Sequence, residues 1–317
     1  MQGERILNIL PRSVRFLVKR SVPDFEFLQE IRLRTRKPLL LVYGGKELFV
    51  ERVRGEPYIV TKEDLKEMVD YISNYSLYAY EQEMKQGFIT VEGGHRIGMA
   101  GQVILEAGRV KNIKHISSVN VRMSHEVIGC ADKVFPYITR QKELYHTLVI
   151  SPPRCGKTTL LRDMIRQISD GNRYLKGKSV GVVDERSEIG GCYMGAAQNQ
   201  LGIRTDILDC CPKAEGMIML IRSMGPEVIA VDEIGNEEDV HAVEYAMHCG
   251  CKLIATVHGR SLDELKRKPV FDRLIREKRF ERYILLGNHA GTGAISAIYD
   301  NDVSCLFHEN DAEKKVC

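Results

Sequence analysis

Leu148-Val149-Ile150-Ser151-Pro152-Pro153-Arg154-Cys155-Gly156-Lys157-Thr158-Thr159-Leu160-Leu161 is the stretch that decides how this chain folds. Thr147 to Ile150 is a mostly apolar run that suits a short buried strand, and Leu160, Leu161, Met164, Ile165 and Ile168 recur at helical spacing after a turn. Strand, loop and helix in that order are what a phosphate-binding loop requires. Its backbone N–H groups curl around a polyphosphate, and the helix N-terminus sets its partial positive charge against it. Ser151 to Thr159 is therefore the expected nucleotide-binding segment, with Lys157 reaching the β- and γ-phosphates of ATP and the Thr158 hydroxyl on a magnesium ion. The pattern places glycine first, and Ser151 stands there instead. A Cβ is poorly tolerated at positive φ, so the loop is expected to enter by a different path, one fixed by Pro152 and Pro153. Cys155, beside Lys157 and a helix start, is expected to be a reactive thiol that bound ATP protects.

Downstream, Val180–Val183, Val228–Val231 and Leu253–Val257 are apolar runs spaced for a parallel sheet with helical crossovers, and each ends in polar residues. Ligands of open parallel sheets bind at the carboxyl ends of strands, so those clusters should converge on the nucleotide. Glu227-Val228-Ile229-Ala230-Val231-Asp232-Glu233 has the form of a Walker B strand, with Asp232 on the metal and Glu233 positioning or deprotonating the attacking water. Asp184-Glu185-Arg186-Ser187-Glu188 is a second acidic cluster. Glu185 and Glu188 are candidates to tune the water or the metal shell, with Arg186 as a local counter-ion, while a solvated turn whose charges cancel fits equally well. Thr256-Val257-His258-Gly259 puts a hydroxyl and an imidazole where a γ-phosphate would be sensed.

Upstream, Ile6, Leu7, Leu10, Val14, Leu17 and Val18 form an amphipathic stretch broken by Pro11, and Ile31 to Val50 reads as a small sheet turning at Gly44-Gly45. Thr61 and Asp64 open a helix with a capping box, expected to continue after a break through Tyr75 to Met84. Val119, Val121 and Met123 alternate with Asn120 and Arg122 as in a strand. The 317 residues, 44% of them hydrophobic, suit two domains: an α+β domain over 1–135, an α/β domain over 136–305 and a charged tail over 306–317. A net charge of +3 announces neither a nucleic-acid nor a membrane-surface protein. An odd set of nine cysteines without a secretion signal, and no apolar run of bilayer length, predict a cytoplasmic protein with reduced thiols and no membrane span.

These clusters, in this order, resemble the Walker A, acidic, Walker B and histidine boxes of the type II and type IV secretion ATPase superfamily. Ile221-Arg222-Ser223-Met224-Gly225-Pro226-Glu227 is similar to its arginine-bearing segment before Walker B. Glu30-Ile31-Arg32-Leu33-Arg34, Gly94-His95-Arg96-Ile97-Gly98 and Asp184 to Ile189 resemble the stage III sporulation AA family within it. Asp232 departs from the superfamily, which often has glycine there. The resemblance implies a RecA-like P-loop ATPase core with a smaller N-terminal domain, assembled as a hexameric ring. It further implies ATP and Mg2+ as ligands, Arg222 as a catalytic arginine, and Arg96 and Arg122 as arginines of the N-terminal domain that reach the triphosphate. The implied function is a cytoplasmic ATPase, peripheral to the membrane, that energises a membrane-embedded secretion or channel complex between mother cell and forespore. A RecA-like nucleic-acid motor and a nucleotide-gated scaffold with little turnover are the alternatives.

Overall fold

The computed structural model describes residues 3–72, 87–106, 108–153, 155–287 and 293–309. The chain divides into two units: Met1–His125 with Gly191–Gln198, and Glu126–Gly190 with Asn199–Cys317. The first unit ends before the 135/136 boundary expected from sequence, and it takes back a short segment from the middle of the second. No periodicity marks that return.

In the first unit, Pro11 separates a 3-10 turn, Gly3–Ile9, from helix α1, Arg12–Ser21, as a residue without an N–H should. Strands β1 (Leu28–Arg34), β2 (Leu40–Tyr43) and β3 (Lys46–Phe49) pair antiparallel, with Gly44 and Gly45 at positive φ in the tight turn. A small hairpin, β4 (Glu51–Val53) with β5 (Glu56–Pro57), precedes helix α2 (Lys62–Ile72). Its capping box forms: Thr61 Oγ1 accepts from the Asp64 N–H at 3.1 Å, and Asp64 accepts from the Thr61 N–H at 2.8 Å. The expected continuation through Tyr75 to Met84 lies outside the described residues. Strands β6 (Phe88–Val91), β7 (His95–Glu106) and β8 (Arg109–Arg122) complete a sheet of order β3-β2-β1-β8-β7-β6. Strand alternation sends Ile31, Leu33, Ile97, Met99, Val119 and Val121 into one core with α1 and α2.

The second unit opens with helix α3 (Phe135–Ile138) and a short hairpin, β9 (Thr139–Arg140) with β10 (Glu143–Leu144). It then alternates β11 (Thr147–Ser151), α4 (Lys157–Asp170), β12 (Val180–Asp184), β13 (Thr205–Asp209), α5 (Lys213–Ser223), β14 (Val228–Val231), α6 (Glu237–His248) and β15 (Lys252–His258). Helices α7 (Leu262–Lys266) and α8 (Pro269–Arg276) lead to β16 (Arg282–Leu286), β17 (Ile295–Asp300) and β18 (Cys305–His308). The sheet runs β13-β12-β14-β15-β11-β16-β17-β18, parallel through β16 and antiparallel at the last two strands. The expected tail therefore begins inside a strand, since residues 306–308 belong to β18, while 310–317 lie outside the described residues.

Each central strand feeds two cores. Val149, Val182, Ala230 and Ile254 pack with Leu160, Leu161 and Met164 of α4, whereas Leu148, Ile150, Val183, Ile229, Val231 and Ala255 pack with α5, α6, α7 and α8. That three-layer arrangement explains why the strands read as unbroken apolar runs. Among the described residues no helix is long and apolar enough to cross a membrane.

His146 anchors the entry to β11. Its Nδ1 accepts from the Leu253 N–H at 3.1 Å, so the folded chain holds this ring unprotonated. Burial, with the Lys252 charge beside it, pushes its pKa from 6.5 down to about 4, against the opposing pull of Glu281. The unfolded chain then binds the proton more readily, and stability must fall as pH drops through that window. The expected loss from this residue between pH 7 and pH 5 is about 2 kcal/mol. Urea unfolding at the two pH values, compared with His146→Asn, checks it: the variant should show the flatter pH dependence.

Candidate active site

Strands β12, β14, β15 and β11 lie side by side and parallel, so the residues that leave their carboxyl ends gather at one edge of the sheet. From β11 comes the phosphate-loop segment. Ser151 is buried as the last strand residue, its hydroxyl donating to the Pro152 carbonyl at 2.8 Å and its carbonyl accepting from the Gly259 N–H at 3.2 Å. It is not among the residues at positive φ, so glycine's freedom is not needed there. The left-handed position is Gly156, at φ 84°, which caps α4, and that one is glycine. Cys155 is buried 3% exposed with Sγ 3.5 Å from the Pro153 carbonyl, which corrects the expectation of a reactive thiol: reagents have no access to it in this state. Arg154 lies outside the described residues.

Lys157 and Thr158 open α4, and both reach the acidic end of β14. Lys157 Nζ is 2.6 Å from Glu233 Oε1 and 3.4 Å from Asp232 Oδ1, with its side chain almost wholly buried. The Thr158 hydroxyl donates to Asp232 Oδ2 at 2.9 Å. Thr256, buried on β15, donates its hydroxyl to Asp232 Oδ1 and accepts the Glu233 N–H at 2.9 Å. His258 Nε2 contacts Glu233 Oε1, and Arg186 Nη1 lies 3.3 Å from Glu233 Oε2. Glu233 itself sits in the left-handed region at φ 53°, unusual for a residue with a side chain and held by the Thr256 hydroxyl and by the Ile234 N–H on the Thr256 carbonyl. Burial disfavours its charge, but the Lys157 hydrogen bond and the charges of Lys157, His258 and Arg186 outweigh that and hold its carboxyl below the usual range.

The turn after β12 is held from both sides. Asp184 is buried and accepts the N–H groups of Glu188, Ile189 and Gly190 at 2.8, 2.9 and 2.8 Å. Burial, helped by neighbouring Asp209, raises its pKa to about 6 in spite of those donors. Arg162 of α4 donates to the Glu188 and Ile189 carbonyls at 2.8 and 2.9 Å, which ties the turn to the phosphate-loop helix. Glu185 pairs with Lys213 at the start of α5.

The structure thus brings Ser151, Gly156, Lys157, Thr158, Asp232, Glu233 and His258 together, with Thr159 in the first turn of α4 and Glu188 in the adjoining turn. Arg222 is not brought there within one chain. It is exposed in the last turn of α5 and enters β14 from the amino end, roughly 13 Å of strand away from Asp232. Arg96 and Arg122 stand opposite each other on β7 and β8 of the first unit, with Arg96 4.4 Å over the Phe88 ring and Glu30 next in the row. Arg162 has no role in the sequence reading, and Asp184 enters it only as one carboxylate of the acidic cluster; the three successive N–H groups that Asp184 gathers leave no pattern in residue types.

Among the described residues no three carboxylates, imidazoles or thiols cluster to hold a metal by themselves. Thr158 and Asp232 nonetheless present a hydroxyl and a carboxylate to one point, the oxygen donors that magnesium accepts alongside phosphate oxygens and water.

The profile of a family described as "Sporulation stage III, protein AA" matches residues 1–306. A Bacillus subtilis (strain 168) protein, "Stage III sporulation protein AA", is 42% identical over 303 residues, covering 95% of this chain and 96% of its own. Among solved structures, the Yersinia pseudotuberculosis ATPase DotB superposes with a TM-score of 0.60 at 12% identity, covering 96% of this chain and 82% of its own. The pilus retraction motor PilT, solved with bound ADP, gives 0.58 at 16% identity, covering 92% and 81%. These likenesses identify the fold as a RecA-like P-loop ATPase fold.

Thr256 joins Asp232 to the Glu233 backbone, so Thr256→Val, close in shape, should leave both groups short of a partner. The expected cost is about 1–3 kcal/mol in denaturant unfolding. An unchanged midpoint would show that the hydroxyl does not hold the two acids.

Proposed function

Because the chain belongs to the family described as sporulation stage III, protein AA, we propose that it is an ATPase that energises a membrane-embedded secretion or channel complex during sporulation. The single observation that carries the reading is the meeting of Lys157 and Thr158 with Glu233 and Asp232, a phosphate loop aimed at the end of a Walker B strand. The sporulation context comes from the family, and the motor role is by analogy with the secretion ATPases that share the fold.

In this reading the loop N–H groups and Lys157 hold the β- and γ-phosphates of ATP, and Lys157 leaves Glu233 to do so. Thr158 and Asp232 would hold magnesium, which when bound offsets charge on the phosphate oxygens. Glu233, freed from Lys157, accepts a hydrogen bond from a water aimed at the γ-phosphorus. The new P–O bond forms as the β–γ bridge bond breaks, the water's proton passes toward Glu233, and ADP leaves with its bridging oxygen. His258 touches Glu233 and is placed to register whether that carboxylate is released. Glu188 and Glu185 tune the same edge from the β12 turn. We assign Arg96 and Arg122 to the triphosphate of a neighbouring subunit in a hexameric ring. Arg222, at the other end of β14, we assign to contact between subunits. The protein would work in the cytoplasm, bound peripherally to its membrane partner.

Two variants test the site by calorimetry with Mg2+ and ATP. Lys157→Ala should lose at least about tenfold in affinity, since a charge-assisted phosphate contact goes. Glu233→Gln should bind ATP about tenfold more tightly, because Lys157 no longer has to leave a carboxylate, and should release no phosphate. Equal affinities for wild type and Lys157→Ala would overturn the assignment.

A further inference from the structure

Three neighbouring strands each deliver one polar side chain to the same point: Arg186 from the turn after β12, Glu233 from the end of β14 and His258 from the end of β15. Lys157 adds a second full positive charge from α4. Lys157 and His258 share Oε1 of Glu233, whereas Arg186 meets Oε2 at 3.3 Å. Two cations, Lys157 and Arg186, thus flank a single carboxylate, one at each of its oxygens. When ATP draws Lys157 away from Glu233, the terminal phosphate brings a second anion to the point where Arg186 already meets one.

Arg186 is not carried on a loose loop. Ser187, the next residue, is fixed in the left-handed region at φ 53° and is buried. Beyond it, Asp184 gathers three backbone N–H groups and Arg162 holds two carbonyls. Arg162 sits on the helix whose first turn holds Lys157 and Thr158, so the turn and the phosphate loop are braced to each other. A guanidinium is always charged and offers several N–H donors in a plane, which suits it to phosphate oxygens.

We propose that Arg186 is a phosphate-recognising residue of the chain's own site, which binds the γ-phosphate and makes the site prefer a nucleoside triphosphate over a diphosphate. This rests on the ATPase reading and adds to it a residue that reads the terminal phosphate from within the subunit. In the structure Arg186 contacts Glu233. In the filled site Arg186 turns to the γ-phosphate, and after hydrolysis its partner departs with the phosphate ion. ADP, which ends at the β-phosphate, never reaches it.

The test is calorimetric titration of the full chain with ADP and with the β,γ-imido analogue of ATP, both with Mg2+, for wild type, Arg186→Ala and Arg186→Lys. ATP itself is then titrated into Glu233→Gln with and without Arg186→Ala, so that the lost Arg186–Glu233 pair cannot mask the result. Arg186→Ala should weaken the triphosphate about tenfold or more and ADP less than twofold, with Arg186→Lys between the two. Thermal melting within a degree or two of wild type excludes a folding defect, and Arg173→Ala, an arginine of the loop after α4, should change neither affinity. Equal weakening of both nucleotides, or of neither, would overturn the role of Arg186 while leaving the ATPase reading intact. Failure of wild type to bind either nucleotide would overturn both.

Discussion

Lys157 carries a positive charge where the fold leaves it almost no water, and the rest of the site follows from that constraint. A buried ammonium without a partner costs several kcal/mol, so an anion must stand beside it in every state. Glu233 does so at 2.6 Å, with Asp232 at 3.4 Å. The parallel order β12-β14-β15-β11 makes this possible, because only β15 stands between the acid-bearing strand and the strand that leads into the lysine's loop. In the proposed ATPase a polyphosphate would replace the carboxylate without leaving either charge stranded, and that exchange would couple nucleotide arrival to the release of Glu233.

The backbone around the exchange is held tightly. Glu233 keeps a left-handed conformation because the Thr256 hydroxyl takes its N–H and the Thr256 carbonyl takes the next. Asp184 does comparable work for the neighbouring turn, collecting three N–H groups with one buried carboxylate. Such strain persists only where surrounding bonds over-determine it, and Glu233 and Ser187 are the two side-chain-bearing residues at these strand ends that keep it. The segment Gly191–Gln198, directly after that turn, belongs to the first unit. The chain therefore passes from the site's edge into the other unit and back within a few residues.

Much of this was legible in residue order. Unbroken apolar runs at Val180, Val228 and Leu253 announced strands buried on both faces, and the polar residues ending each run converge as a parallel sheet demands. Lys157 and Thr158 stood out through the strand–loop–helix pattern, and Asp232, Glu233 and His258 through their places at the ends of apolar runs; the structure brings their side chains together. Residues whose role depends on contacts distant in sequence were not. Arg162 and Asp184 act through backbone groups, which no side-chain pattern encodes, and Arg222 reads as a site residue until the strand direction sends it to the opposite end. Ser151 seemed a departure from the loop pattern, yet the turn that needs glycine is at Gly156. Cys155 reads as a reactive thiol beside Lys157 and a helix start, while its side chain is buried in the core cluster that includes Leu160 and Leu161.

The most direct test of the account is phosphate release from ATP with Mg2+, measured per chain as protein concentration rises, against Lys157→Ala as background. The account predicts release by the wild type well above the variant, with a rate per chain that climbs and then saturates as neighbouring subunits complete the site. Release equal to that of Lys157→Ala at every concentration would contradict it.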